Sequence, residues 1–275
     1  MREACIVPAH VRPEFLWLAL ERLEACEDRS AVTVFIDRGG VKENEEVLAH
    51  FPWAESYRRA NHGTYGNSLN LLEAYRWAIE CGAEQVFCVE EDVLVAPDFF
   101  RWHRAVQAAE PELFASIATR NLRQAIQVPP APDGYYLAGY GFSSTGCCLP
   151  RRTIQAALEH TPVYYRNMRA YCLERFPASR FGDSWWEQDG LLLRIAEAGD
   201  ARISWPCVPR AWHVGYFGYN RTGQGPQGGL EERVAEVRRA VTDSAAMAGG
   251  YGDTDAVPDE FAADWAALRR VEVRQ

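Results

Sequence analysis

The first hundred residues alternate short apolar runs with segments whose apolar positions recur at helical spacing. Ala4 to Pro8 reads as a strand and Pro13 to Cys26 as a helix, with Pro13 suited to its first turn. Within that helix Leu16, Ala19, Leu20 and Leu23 share one face, as a helix covering a sheet requires. Ala31 to Ile36 is the next predicted strand, followed by the turn Asp37-Arg38-Gly39-Gly40 and a polar helix from about Lys42 to His50. A third helix, about Asn67 to Glu80, stops at Gly82 and leads into the apolar strand Gln85 to Val89, which ends in three acids. Ala96-Pro97-Asp98 opens a further helix. This alternation predicts an α/β, Rossmann-like single domain, with a mostly parallel central sheet flanked by helices.

Beyond Phe114 to Ala118, a further predicted strand, the pattern breaks down. Thr119 to Gly146 is rich in Pro, Gly and Tyr, and it is long for a loop, which favours a functional role over a simple connection. Thr145 to Leu149 reads as a core strand. A second irregular, aromatic stretch runs from Thr161 to Trp186, before a helix from Glu187 to Ala198 that ends at Gly199; both stretches are expected to line a binding site. Ile203 to Val208 reads as the last strand, with His213 just beyond it and a glycine-rich segment, Gly215 to Gly229, as a lid. Glu260 to Val271 has helical spacing. No internal repeat is present, which excludes solenoids.

Composition narrows the function classes. The chain has 275 residues, 48% of them hydrophobic, enough to bury a core of enzyme size, and a net charge of −9 that opposes nonspecific attraction to nucleic acid or anionic lipid. A neutral or small-molecule partner fits better than nucleic acid. No run approaches the 18 or so apolar residues of a membrane-spanning helix, and the N-terminus enters a strand without a basic region and cleavage site, so no transmembrane segment and a cytoplasmic location are expected. The eight cysteines lack CxxC spacing, and several sit in apolar strands, which predicts reduced structural thiols.

Glu90, Glu91 and Asp92 are the strongest chemical signal. They follow a buried strand, and parallel α/β sheets bind ligands in the crevice beyond such strand ends. Mg²⁺ and Mn²⁺ favour carboxylates together with diphosphate oxygens and water, and need few protein ligands. The competing account is an acidic turn or helix cap, but a cap needs one acid, and Val93-Leu94-Val95 does not begin the helix.

The segment AYRWAIECGAEQVFCVEEDVLVAPDFF, Ala74 to Phe100, resembles the donor-binding segment of N-acetylglucosaminyltransferase I, glycosyltransferase family 13. The resemblance continues, in the family's order, through FASIATRN (Phe114 to Asn121), SWWEQDGLLLR (Ser184 to Arg194) and CVPRAWHVGYFG (Cys207 to Gly218). Pro8 to Arg12 and Ile36 to Arg38 resemble strand ends of bacterial family 2 glycosyltransferases. The resemblance implies a GT-A fold and an inverting transfer from a UDP-sugar, with Mn²⁺ or Mg²⁺ as cofactor. The division expected from it is residues 4–120 for a nucleotide-sugar-binding half, 121–229 for an acceptor-binding and catalytic half with the lid, and 230–275 for a helical tail, the two irregular stretches binding the acceptor. By position it implies that Asp92 ligates the metal, Glu90 faces the donor sugar and Glu91 stands near the ribose. It also places Asp37 at the base, with Arg12 and Pro8 near the nucleotide. The family's acidic motif is Glu-Asp-Asp, so Glu91 lengthens the middle arm here; Ala74 stands where the family has a histidine.

Departure of a nucleoside diphosphate builds negative charge that a divalent ion can stabilise. His213 is a candidate to complete that ion's shell or to bond the diphosphate, with glycines at 215 and 218 letting the chain fold over it. Inversion further requires a carboxylate to take the acceptor's hydroxyl proton. Asp189 is the choice for this base and Glu187 the reserve, because the family's acid aligns with Gln188 in one register and Asp189 in the next. Dipole capping is the alternative for either acid alone. The acceptor is expected to be a glycan, a lipid-linked sugar or a small molecule, and the resemblance suggests N-acetylglucosamine as the transferred sugar. Two rival functions are a metal-dependent sugar nucleotidyltransferase and a noncatalytic sugar- or nucleotide-binding module; the former normally carries a glycine-rich, basic phosphate loop, whereas Pro8 to Pro13 has only Arg12 and no glycine.

Overall fold

The computed structural model describes residues 2–37, 41–58, 66–119, 131, 133–138, 141–160, 168–176, 188–215, 226–246 and 268–272. The chain begins with strand β1 (Glu3–Ala9), helix α1 (Pro13–Glu24), β2 (Val32–Ile36), α2 (Val41–His50), β3 (Glu55–Arg58), α3 (Gly66–Glu80) and β4 (Gln85–Cys88). Strand β1 lies parallel to β2 and to β4, and β2 lies parallel to β3. Its residues alternate between two cores: Cys5, Val7 and Ala9 face one, Ala4 and Ile6 the other. A strand covered on both faces must be apolar throughout, which explains why β1 reads as a continuous apolar run.

The chain continues with β5 (Val93–Val95), α4 (Phe99–Ala109), β6 (Ala115–Ile117), β7 (Gly134–Ala138), β8 (Cys147–Pro150), α5 (Arg151–Glu159) and α6 (Met168–Arg175). It ends with α7 (Gln188–Ala198), β9 (Ile203–Pro206), β10 (Ala211–His213), α8 (Leu230–Ala246) and β11 (Arg269–Arg270). Among the described residues the main sheet has nine strands, in the order β11-β7-β9-β6-β8-β4-β1-β2-β3. The β4-β1-β2-β3 half is parallel, and antiparallel pairing enters where β8 sits between β4 and β6 and where β7 meets β9. Side chains of α1, α4 and α8, including Phe15, Leu16, Phe99, Trp102, Val234 and Val237, form one core; those of α3, α5 and α7, including Leu71, Tyr75, Ile154, Leu192 and Leu193, form the other. The expected α/β fold, a large central sheet flanked by helices in a single domain, is the one observed.

Several elements differ from the sequence expectation. The irregular stretch 119–146 contains β7, held by β9 on one side and β11 on the other, and the stretch 161–186 contains α6. Among the described side chains of helix α6 only Cys172 is buried, so its sequence carries little apolar periodicity. Strand β9 is not the last: β10 and β11 follow. Helical spacing over 260–271 gives way at its end to β11, since the Arg269 and Val271 N–H groups donate to the carbonyls of Asp133 and Tyr135; 260–267 lie outside the described residues. All eight cysteines are free thiols. Among the described residues no helix is long and apolar enough to cross a membrane.

Candidate functional site

Strands β1, β2 and β4 run parallel, so the residues that follow them emerge at one edge of the sheet. Here stand Pro8 to Arg12, Asp37 and Glu90 to Asp92, brought together by β1–β2 and β1–β4 pairing. The Asp37 N–H donates to the Ala9 carbonyl (2.9 Å) and the Glu91 N–H to the Pro8 carbonyl (3.2 Å), so buried Pro8 forms part of the floor beneath the acids. Asp37 Oδ2 lies 3.3 Å from His10 Nδ1.

All three acids are buried. Arg12 forks across two of them: Nε donates to Glu91 Oε1 at 2.7 Å and Nη1 to Asp92 Oδ2 at 2.6 Å. The His10 backbone N–H adds a third bond, to Glu91 Oε2 at 2.7 Å. Such charge-assisted bonds are what keep adjacent buried carboxylates tolerable. The glutamates still reflect their burial. Desolvation, with the charges of Asp92 and Asp189, pushes Glu90 up to about 7; desolvation also takes Glu91 to about 7 against the pull of Arg12. Burial acts on Asp92 in the same sense, but His213 and Arg12 outweigh it and hold this carboxyl well below the usual range.

His213 reaches Asp92 through a two-stranded ribbon apart from the main sheet. Antiparallel β5 and β10 pair Val93 with His213 and Val95 with Ala211, and the Val214 N–H donates to the Asp92 carbonyl. This register sets His213 Nε2 3.1 Å from Asp92 Oδ2. Gly215 then passes over the carboxylate so closely that a Cβ there would stand 2.0 Å from Oδ2 and 3.0 Å from His213 Nε2. The predicted turn of chain over this site therefore requires glycine at 215; Gly218 lies outside the described residues.

Asp189 stands in the first turn of α7. Its Oδ1 accepts the Ser144 backbone N–H at 3.0 Å, while the Ser144 hydroxyl donates to Glu90 Oε1. Ser144, fully buried between Gly141 and Gly146, whose φ angles are +85° and +64°, thus links Asp189 to the acidic run. Glu187 lies outside the described residues, as do Trp185, Trp186, Tyr140, Tyr164 and Tyr165. Tyr135 and Tyr136, within the first irregular stretch, are buried in the core, because β7 is a sheet strand rather than a loop.

Among the described residues no group of three or more His, Cys, Asp and Glu forms a ready metal cage. The pair Asp92–His213 nevertheless fits a divalent ion that takes the rest of its shell from diphosphate and water. Asp92 Oδ2 and His213 Nε2, 3.1 Å apart, would be the atoms to hold such an ion. Asp92 Oδ1, buried and accepting no hydrogen bond, is a second available ligand atom.

Sequence reasoning missed Ser144 and His10. Nothing marks Ser144 within a Gly- and Ser-containing loop, because its partners lie 45 and 54 positions away. His10 carried a signal in its place between Pro8 and Arg12, beyond the first strand.

No protein-family model and no curated protein matches the chain. Among solved structures it is similar to residues 1–349 of S. aureus TarS, with 14% identity over 74% of this chain and 58% of that one, at a TM-score of 0.49. It spans 35% of a longer TarS chain, at 16% identity over 74% of its own residues and the same TM-score. It is also similar to the mannosyltransferase PcManGT of Pyrobaculum calidifontis, solved with GDP-Man and Mn²⁺: 16% identity over 91% of this chain and 76% of that one, TM-score 0.47.

Proposed function

We propose that the chain is an inverting, metal-dependent glycosyltransferase that moves a sugar from a nucleotide-sugar, with UDP as the nucleotide, to an acceptor hydroxyl. The observation that supports this most is the convergence, at one sheet edge, of a buried acid in contact with an imidazole (Asp92 and His213) and a further carboxylate, Asp189, tied to the same acidic run through Ser144. Such an arrangement serves a reaction with two charge demands: a diphosphate that must leave and a hydroxyl that must lose its proton.

In this mechanism Asp37, Arg12, Pro8 and Glu91 bind the nucleotide, with Glu91 toward the ribose, and Glu90 faces the sugar. Asp92 and His213 hold Mn²⁺ or Mg²⁺, which when bound supplies positive charge to the departing diphosphate. Asp189 takes the acceptor's hydroxyl proton while that oxygen attacks the anomeric carbon from the face opposite the leaving group, and Glu187 is the reserve for this role. The family resemblance suggests N-acetylglucosamine as the sugar; the acceptor class is a glycan, a lipid-linked sugar or a small molecule.

The test is thermal unfolding of the wild type and Asp92→Ala with a panel of nucleotides and nucleotide-sugars, with and without Mn²⁺. A ligand that binds only the native state at 100 times its Kd adds about 2.7 kcal/mol of stability. The expected result is a shift with UDP or a UDP-sugar that requires Mn²⁺ and is lost in Asp92→Ala. Absence of any metal-dependent shift in the wild type would refute the proposal and favour a noncatalytic binding module.

A further inference from the structure

Arg12 does more in this site than line it. Its guanidinium lies 2.6 Å from the same Asp92 oxygen that His213 approaches at 3.1 Å, and its Nε is committed to Glu91. Its side chain is only 18% exposed, and those of Glu91 and Asp92 are 2% and 3% exposed. A positive charge on these carboxylates is therefore part of the folded site. Glu14, fully buried two residues along at the start of α1, meets Arg233 of α8 at 3.6 Å, so Arg12 is not drawn away by its nearest carboxylate neighbour in sequence.

We propose that Arg12 is a built-in counter-cation, which a divalent ion must displace from Asp92 and which then turns to the donor's diphosphate. The inference rests on the metal-dependent reading of the site. Its physical basis is charge and place. A guanidinium at hydrogen-bond distance from Asp92 Oδ2 repels a dication brought to that same oxygen, and the repulsion is strong where water is excluded. A nucleoside diphosphate reverses the balance, since its oxygens accept the released Arg12 donors bidentately, as guanidinium groups favour. The ion alone is then bound weakly, and nucleotide and ion are bound together. Arg12 thereby guards the acids against free metal and couples metal loading to donor arrival.

The experiment titrates Mn²⁺ against the full-length wild type, Arg12→Gln and Arg12→Lys by electron paramagnetic resonance, first without nucleotide and then with UDP. The expected result is that Arg12→Gln binds Mn²⁺ alone at least tenfold more tightly than the wild type, while Arg12→Lys, which keeps the charge, stays within about threefold of it. UDP should then tighten Mn²⁺ binding less in Arg12→Gln than in the wild type. Unchanged affinity for Mn²⁺ alone in Arg12→Gln would overturn the inference and leave the proposed function standing; no Mn²⁺ binding by the wild type with or without UDP would overturn both. Should Arg12→Gln not fold, the Arg12 Nη1–H resonance of the wild type, whose proton is donated to Asp92, decides. Movement of that resonance on adding Mg²⁺ with UDP supports displacement, and an unmoved signal under saturation overturns it.

Discussion

Gly215→Ala subjects the geometry around Asp92 to a single methyl group. The new Cβ would lie 2.0 Å from Asp92 Oδ2 and 2.9 Å from its Cγ, against the ~3.5 Å at which nonbonded heavy atoms attract, a shortfall of about 1.5 Å at the oxygen. The carboxylate has little room to yield, because Arg12 and His213 hold Oδ2 from two directions. The backbone must retreat instead, and the 2.8 Å bond from the Val214 N–H to the Asp92 carbonyl is strained with it. Overpacking of this kind costs about 1–3 kcal/mol, which urea unfolding would read. Ligand distances at metal sites tolerate about 0.2 Å, and disturbed supporting contacts cost about 10–100-fold in metal affinity. Mn²⁺ affinity in the presence of UDP, measured by calorimetry, should therefore fall by at least about tenfold. Gly229→Ala is the control: among the described residues a Cβ there has no atom within 4 Å, so stability should stay within about 0.5 kcal/mol and affinity should not move. If Gly215→Ala behaved like this control in both measurements, the tight passage of the chain over Asp92 would not be what shapes the site.

Two further outcomes test the surroundings. Ser144→Ala removes the hydroxyl that donates to buried Glu90; it should cost about 1–3 kcal/mol in urea melts and slow donor turnover while leaving UDP–Mn²⁺ affinity close to wild type, whereas unchanged turnover would remove Ser144 from the mechanism. His103 is fully buried, with Nδ1 2.7 Å from Ser116 Oγ, and desolvation first, then the nearby charge of Arg210, holds it neutral well below its ordinary value. The unfolded chain therefore takes up this proton before the folded one. The contribution is fully present above about pH 6.5 and is lost below it, at about 1.4 kcal/mol per pH unit. Urea melts between pH 5 and 7 should show that component of the slope in the wild type and not in His103→Gln.

The parts of this molecule legible in its sequence are those whose signal is local. Strand β1 and the helix after it announce themselves through a continuous apolar run, Pro13 and one apolar face, and the acids from Glu90 to Asp92 stand where a buried strand ends. Strand β5 was not legible, because Val93-Leu94-Val95 acquires its identity from a partner more than a hundred residues later. Strand β7, Gly-Tyr-Tyr-Leu-Ala, sits among Pro and Gly residues and takes its place from β9 and β11. Gly134 at its start adds a packing demand that composition does not reveal: a Cβ there would stand 2.8 Å from Cys207 Sγ. The same rule holds within the site. Asp92 and Arg12 were visible as strand-end residues, whereas Ser144 matters only because the fold sets Glu90 and Asp189 on either side of it.

The ribbon formed by β5 and β10 also fixes an order of assembly during synthesis. Arg12 precedes Asp92 by 80 residues and His213 follows it by 121. At roughly 5–20 residues per second, about 6–24 s separate the appearance of the acid from that of its imidazole partner. Throughout that interval the guanidinium has already been made and the histidine has not. A nascent chain can therefore neutralise its acidic strand end well before it can complete the pair suited to a metal ion, and any product truncated ahead of residue 213 would carry the first contact without the second.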